Sequence, residues 1–426
     1  MAKSSLDDII NASFTELQDL SKEDASVKEW ISTGNLALNY ICSRNLKGGY
    51  PCEHITALYG MSGTGKSMLP AIAAKDPKIS RVIVVDSEGN GSGASLFSFV
   101  GCDLTKVKYV NIQTLDSYKV NKENGKIEEV NDKDVPVSGK LNTPTYEYHV
   151  GLILFLKRLI YALEYNHVEE RTLVIVDSLS NMKSVRAALL GTADMGKTQV
   201  LINQLFSSLD NALKKAKTTL IFANKVYTDL NNPYNTEGVI SGGQAVIYNP
   251  SLLVGLTALQ DNPEIADADL KAEKERRKTG LGNSLKTIRA RIKKSRFGTE
   301  GRNVFFVLDS TYGMTKYSGL FQLLYDFGIC KKNGTRYVIP GIFVNDDGED
   351  ISFFKKDFVS IFIKKEEEYI EKLQKAFEEK EEEMKKKAMN LVVNDIDEAR
   401  EEIKDSDEEI STSDMLTAME VEAGIE

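Results

Sequence analysis

One eight-residue run, Gly60-Met61-Ser62-Gly63-Thr64-Gly65-Lys66-Ser67, constrains the fold more than any other feature. It satisfies GxxxxGK[ST] at every fixed position and lies between a β-rich run over 54–59 and a helical pattern over 67–76. A strand that turns through glycines directly into a helix is the opening of a crossover unit, and crossover units build parallel sheets. The chemistry explains the spacing. Glycines let backbone N–H groups wrap a phosphate chain, and the helix N-terminus adds partial positive charge. Lys66 is placed to neutralise β- and γ-phosphates, and Ser67 to ligate magnesium. With Met68, the eight residues form the candidate nucleotide-binding set. Pro70 suits the helix only if its missing N–H falls in the unpaired first turn.

The rest of the chain repeats this alternation. β-rich runs over 81–86, 107–112, 172–177, 219–224, 252–256, 287–293 and 303–308 are interleaved with helical patterns over 148–166, 196–217 and 316–329. The pattern predicts an α/β fold with a mainly parallel central sheet. The late strands succeed one another with little helix between, which predicts an antiparallel edge. Residues 118–145 interrupt the alternation, and Asn124-Gly125 between alternating runs signals a hairpin on an insertion.

Four segments emerge. Residues 1–30 carry apolar points at Leu6, Ile9, Ile10, Phe14 and Leu17, the spacing of a short amphipathic helical arm. Residues 31–340 form the core, and 341–390 a C-terminal extension whose stretch 364–390 is rich in helix formers and opposite charges. Residues 391–426 read as an acidic, mobile tail.

Charge has to be read by position. The formal net charge is −9, with 54 Lys+Arg against 63 Asp+Glu. Residues 364–426 hold 10 Lys+Arg and 22 Asp+Glu, which leaves 44 and 41 for the remainder. The acidity belongs to the tail, so it does not exclude an anionic partner for the body. Residues 271–302 contain 12 Lys+Arg against three acids, a strongly basic stretch. No stretch approaches the ~18 apolar residues of a membrane span. The most apolar segment, 151–156, is cut by Lys157 and Arg158. The first ten residues carry acids where a secretory leader needs its apolar stretch. The four cysteines form no CxxC pair, and only three histidines exist, so the expectation is reduced thiols in a cytoplasmic protein.

Two acidic strand ends complete the phosphate chemistry. The run 172–177 ends in Asp177, the candidate second magnesium ligand, because ligands of parallel sheets gather at carboxyl strand ends. Just beyond the run 81–86 stands Glu88, the candidate base that orients or deprotonates an attacking water.

These residues, in this order, resemble the RecA-type strand-exchange recombinases, in style the UvsX-like recombinases of large tailed phages. The resemblance covers roughly residues 30–340. It begins at Ile31-Ser32-Thr33-Gly34-Asn35-Leu36, continues through the phosphate loop, Glu88, Gly101-Cys102-Asp103, Asp177-Ser178 and Asp194-Met195-Gly196, and passes Ile221-Phe222-Ala223-Asn224-Lys225. Gly242-Gly243-Gln244-Ala245, Lys293-Lys294-Ser295-Arg296, Tyr312-Gly313, Ser318-Gly319-Leu320 and Asn333-Gly334-Thr335-Arg336-Tyr337 close it.

The resemblance implies a RecA-type ATPase core, ATP and magnesium as cofactors, and self-association into a helical filament on single-stranded DNA that pairs with homologous duplex DNA. ATP would lie between neighbouring subunits. Lys294 and Arg296 would then be the cations delivered to the γ-phosphate bound by the next subunit, a role suited to basic groups. Lys225 stands where the family reads the γ-phosphate, and Phe97, beside Leu96, where it stacks the adenine. DNA contacts are expected in two loops. The first is near 183–197, with Lys183, Arg186 and Lys197; the second is near 227–243, with Tyr227, Asn232, Tyr234, Gly242 and Gly243. The arm would dock on the next subunit, and a single-strand-binding protein and a loading mediator are the implied partners. Phage origin would place the protein in the host cytoplasm. Two other readings of the same loop are a hexameric DNA helicase or motor, and a regulator or small-molecule kinase indifferent to DNA.

Overall fold

The computed structural model describes residues 27–87, 93–112, 117–129, 144–165, 170–179, 197–227, 238–241, 244–259, 285–309 and 313–409, of which 391–409 are described by their backbone. The chain divides into two compact units, Met1–Leu323 and Leu324–Glu426.

Ten strands form the central sheet of the first unit: β1 (Ile55–Gly60), β2 (Arg81–Asp86), β3 (Val107–Asn111), β4 (Thr172–Asp177), β5 (Thr218–Tyr227), β6 (Val239–Ile240), β7 (Leu252–Leu259), β8 (Leu285–Ser295), β9 (Asn303–Asp309) and β10 (Gly313–Met314). Their order across the sheet is β10-β9-β8-β7-β1-β5-β4-β2-β3, with β6 hydrogen-bonded to β5. Every neighbouring pair from β7 to β3 is parallel, and β8, β9 and β10 add on antiparallel. This is the α/β fold with a mainly parallel sheet and an antiparallel edge that the pattern predicts. All six residues of β1 are buried, and so are the first five of β4. That accords with central parallel strands whose two faces are both covered.

The helices of this unit that pack on the sheet or flank the ends of its strands include α1 (Leu36–Ser43), α2 (Met68–Ala73), α3 (Gly93–Phe99), α4 (Gly151–Tyr165) and α5 (Lys197–Lys215). α4 and α5 cover part of the sheet. Leu152, Leu156, Leu159, Ile160 and Leu163 recur at helical spacing on α4, and Ile202, Leu205, Phe206, Leu209 and Leu213 do so on α5. Both stripes close on Ile55, Val85, Val174, Leu220 and Phe222 of the strands. Phe206 stacks on Phe222 with ring centroids 5.2 Å apart. Each such side chain stabilises the fold by roughly 1.5–3 kcal/mol on burial. α1 starts at Asn35, whose side chain accepts from the Leu38 N–H at 2.8 Å. The same side chain donates to the carbonyls of Thr315 and Ser318, both at 2.9 Å. The lead-in to the phosphate loop thereby holds the chain beyond β10.

The Asn124-Gly125 hairpin is present, between strands Ser117–Asn121 and Ile127–Glu129; a third strand, Tyr146–Val150, completes a small antiparallel sheet. Pro70 is the third residue of α2, within the turn whose N–H groups have no helical acceptor.

The second unit begins ahead of the boundary expected at 340. Phe327 packs edge-on against Phe377 of the long C-terminal helix Glu366–Glu409, and Tyr325 against Tyr337, while an aromatic cluster of Phe343, Phe353, Phe358, Phe362 and Tyr369 joins the segment after 340 to the same helix. That helix reaches beyond the extension expected over 341–390. It runs on to Glu409, into the stretch 391–426 read as mobile. A helix nucleated upstream propagates at low cost, and Ala399, Arg400, Glu401, Glu402 and Lys404 are good helix formers. The expected N-terminal helix lies outside the described residues. Among the described residues no helix is long and apolar enough to cross a membrane. The four cysteines are free and buried.

Candidate functional site

The carboxyl ends of β2, β4, β1 and β5 are brought level by strict parallel register. Asp86 at the end of β2 is opposite Asp177 at the end of β4, and Gly60 at the end of β1 is opposite Lys225 on β5. A cavity of about 920 Å³ opens over these ends, large enough for a nucleotide. Its floor is the phosphate loop: Gly60, Met61, Ser62, Gly63, Gly65, Lys66, Ser67 and Met68 all line it. Thr64 is buried beneath and donates from Oγ1 to the Met61 carbonyl at 2.9 Å, which fixes the turn. Lys66 Nζ donates to the same carbonyl at 2.6 Å. Gly60 is required by space: a Cβ there would overlap the Leu256 carbonyl oxygen of β7.

Of the other sequence-predicted residues, Asp177, Lys225, Phe97 and Tyr227 also line this cavity. Leu96 lines it too, so α3 presents both Leu96 and its neighbour Phe97. They differ in availability. Phe97 is 3% exposed, whereas Tyr227 is 57% exposed at the end of β5. Glu88 lies outside the described residues, as do Lys183, Arg186, Asn232, Tyr234, Gly242 and Gly243. Lys197 is the first residue of α5, and nothing further of its side chain is described.

Lys294 and Arg296 are not at the cavity. β8 runs antiparallel to β7, with Thr287 opposite Leu259 and Lys294 opposite Leu253. Its start is therefore at the site and its end at the far edge of the sheet, about 26 Å away at ~3.3 Å per residue. Lys294 Nζ donates to the Tyr248 carbonyl. Burial, and then the neighbouring Arg296 guanidinium, hold the Lys294 ammonium below the usual lysine range. Arg296 is 3.9 Å from Asp210 of α5.

Among the cavity-wall residues that sequence reasoning did not assign to the site are four that bring polar or charged groups: Asp86, Tyr109, Lys286 and Asp309. Asp86 ends a predicted strand, and that position was the available signal. Tyr109 sits inside β3, opposite Val84 of β2. Its hydroxyl donates to Asp86 Oδ2 at 2.5 Å, and its ring abuts Gly93 at the start of α3, where a Cβ would collide with it. Burial, and then the Asp86 carboxylate, push the Tyr109 phenol up to about 12. Its side chain is 40% exposed, so the cavity has an aromatic face more open than that of Phe97. Asp309, 3% exposed, ends β9.

Chemically, the described wall offers a glycine loop with open N–H groups, three ammonium groups (Lys66, Lys225, Lys286) and three carboxylates (Asp86, Asp177, Asp309). Cations beside N–H groups suit a polyphosphate, while a hydroxyl and a carboxylate at strand ends suit the hard divalent cation that accompanies one. The donor set fits magnesium with a nucleoside phosphate. Among the described residues there is no group of three or more His, Cys, Asp or Glu placed to hold a metal ion.

The chain is similar in part to bacterial RecA proteins. It is 25% identical over 196 residues to Protein RecA of Desulforapulum autotrophicum, covering 45% of this chain and 51% of that protein. It is 24% identical over 190 residues to Protein RecA of Pseudarthrobacter chlorophenolicus, covering 43% and 49%. It is 23% identical over 203 residues to Protein RecA of Corynebacterium efficiens, covering 47% and 49%. The chain thus spans about half the length of the curated relatives it matches. No family model matches it. The partial similarity and the mainly parallel sheet together are consistent with a RecA-type core.

Proposed function

We propose that this protein is an ATP-dependent recombinase that polymerises on single-stranded DNA and catalyses homologous pairing and strand exchange, with ATP hydrolysis stimulated by DNA. The observation that carries the reading is the convergence of the phosphate loop, Asp177 and Lys225 on one cavity at level strand ends. Partial similarity to RecA proteins gives that cavity its context. The likeness to phage recombinases rests on motif order alone, and a host-cytoplasm location rests on that likeness.

In this reading the loop N–H groups and Lys66 bind the phosphates, and Ser67 and Asp177 hold magnesium. The metal supplies neutralisation of charge on the transferring phosphoryl group when bound. Glu88 orients or deprotonates the attacking water. Lys225 reads the γ-phosphate from the end of β5. The far-end position of Lys294 and Arg296 supports action on a neighbour, because they cannot reach the phosphates of their own subunit. A head-to-tail interface, with this end of β8 against the next cavity, would deliver them there. The loops near 183–197 and 227–243 would track the DNA backbone, and Tyr227 joins the second loop to the cavity wall.

The test is ATP turnover with and without single-stranded DNA, combined with negative-stain imaging of the complex. Turnover that rises with DNA, together with open helical filaments, is the expected result. Turnover indifferent to DNA with monodisperse particles would sink the reading, and closed rings would favour a hexameric motor instead.

A further inference from the structure

The basic stretch around β8 is expected to serve neighbouring subunits through Lys294 and Arg296, but the strand begins with a cation of different placement. Lys286 is opposite Leu308 of β9 and lines the cavity beside the phosphate loop. A Cβ built on Gly63 would lie 2.9 Å from Lys286 Nζ, so the ammonium covers the outer turn of that loop. The absence of a side chain at Gly63 leaves it room. Among the described residues the Lys286 side chain makes no hydrogen bond or ion pair. It stands in one cavity with Lys66 and Lys225. The three carboxylates of the same wall match these ammonium groups in number, but a carboxylate that ligates magnesium and one that accepts from Tyr109 leave cationic charge for a polyphosphate, which carries several charges to share.

We infer that Lys286 is a further phosphate-binding cation of this site, supplied in cis by the sheet across the outer turn of the phosphate loop. The inference rests on the reading of the cavity as a nucleotide site. It also gives β8 two distinct ends. The Lys286 end serves the nucleotide of its own subunit, and the Lys294 and Arg296 end faces away from it. One strand, about 26 Å between these cations at ~3.3 Å per residue, then spans from one phosphate group toward the next subunit's.

Charge-assisted hydrogen bonds are stronger than neutral ones, and a partly exposed contact falls at the lower end of their range. Binding of ATP, ADP and AMP to the full chain, with magnesium and without DNA, is measured by calorimetry for wild type, Lys286→Ala and Lys286→Arg. The expected result for Lys286→Ala is an ATP affinity about tenfold weaker, with AMP changed less than about twofold. Lys286→Arg should restore most of the loss, and the salt dependence of ATP binding should flatten in Lys286→Ala. Lys286 is exposed, and thermal unfolding of each variant confirms that the fold is kept. Equal ATP affinity in wild type and Lys286→Ala overturns the inference while leaving the nucleotide reading intact. A wild-type protein that binds none of the three nucleotides overturns both.

Discussion

Gly60→Ala is the smallest change that tests how the sheet builds the site. Gly60 ends β1 between β5 and β7, opposite Lys225 on one side and Leu256 on the other. A methyl group there would overlap the Leu256 carbonyl oxygen and approach Thr64 Oγ1 to 2.9 Å. Neither neighbour retreats cheaply. The carbonyl belongs to the backbone of a central strand, and Thr64 is fully buried with its hydroxyl committed to Met61. The strands must part or the loop must lift, and overpacking of this kind costs about 1–3 kcal/mol. At on the order of 2–4 °C per kcal/mol for a unit of this size, the unfolding midpoint should fall by roughly 2–12 °C. The same displacement moves the N–H groups that face the cavity. The rise in midpoint produced by ATP and magnesium should therefore shrink as well. Calorimetry of the full chain, with and without nucleotide, reads both effects. A variant that unfolds within about 1 °C of wild type and keeps its full nucleotide shift would refute this account of Gly60.

Three further outcomes are expected. Absorbance titration of wild type against Tyr109→Phe should reveal one phenol ionising at about pH 12. Because the native state keeps that proton above the ordinary value of about 10, its stabilising contribution is present below about pH 10 and is lost as pH rises through the native value. Asp86→Asn should lower the native value, and a Tyr109 that already titrates near 10 would remove the hydrogen bond from the description. Lys294→Ala and Asp177→Asn should each abolish ATP turnover alone, whereas an equimolar mixture should recover part of it, because the defects lie on opposite sides of a shared interface; a mixture as inactive as either variant would place Lys294 in another role. Removal of 391–426 should tighten binding to single-stranded DNA, most visibly at low salt, if this acidic stretch competes for the body's cations; unchanged affinity there would leave it a solubilising appendage.

The centre of the parallel sheet was legible because its strands β1 and β4 are buried on both faces and so read as short apolar runs, at 54–59 and 172–177. The phosphate loop and Asp177 were legible for a related reason: each stands at the end of such a run, and register then brings strand ends together. Tyr109 and Lys286 were not. Both lie within strands, where aromatic and basic residues carry no signal of their own, and they become cavity residues only through pairing with β2 and β9. The order of strands across the sheet is the missing information, since β8 and β9 enter the site from far along the chain. The tail is a different case. Its acid density argues for mobility, while continuity with an established helix argues for propagation, and over 391–409 the second consideration prevails.

The antiparallel edge has a consequence for assembly that the parallel half alone would not have. If β8 ran parallel to β7, its carboxyl end, with Lys294 and Arg296, would open over the same cavity as Lys66, and a single subunit would hold its cations together. Antiparallel pairing reverses this. It presents Lys286 to the cavity and carries the Lys294 end to the opposite edge of the sheet. β8 is bonded on both sides over Thr287–Arg291 and on one side at each end, so one end cannot fold back to the other. On the proposed reading, each subunit can therefore complete a neighbour's site but never its own, and the phosphoryl chemistry is confined to assembled protein. Contact between subunits then changes with the state of the bound nucleotide, because the far-end cations lose their anionic partner when the γ-phosphate leaves. A repeating head-to-tail contact of this kind is what a filament needs to loosen on hydrolysis, and its strength should scale with the fraction of sites that hold a triphosphate.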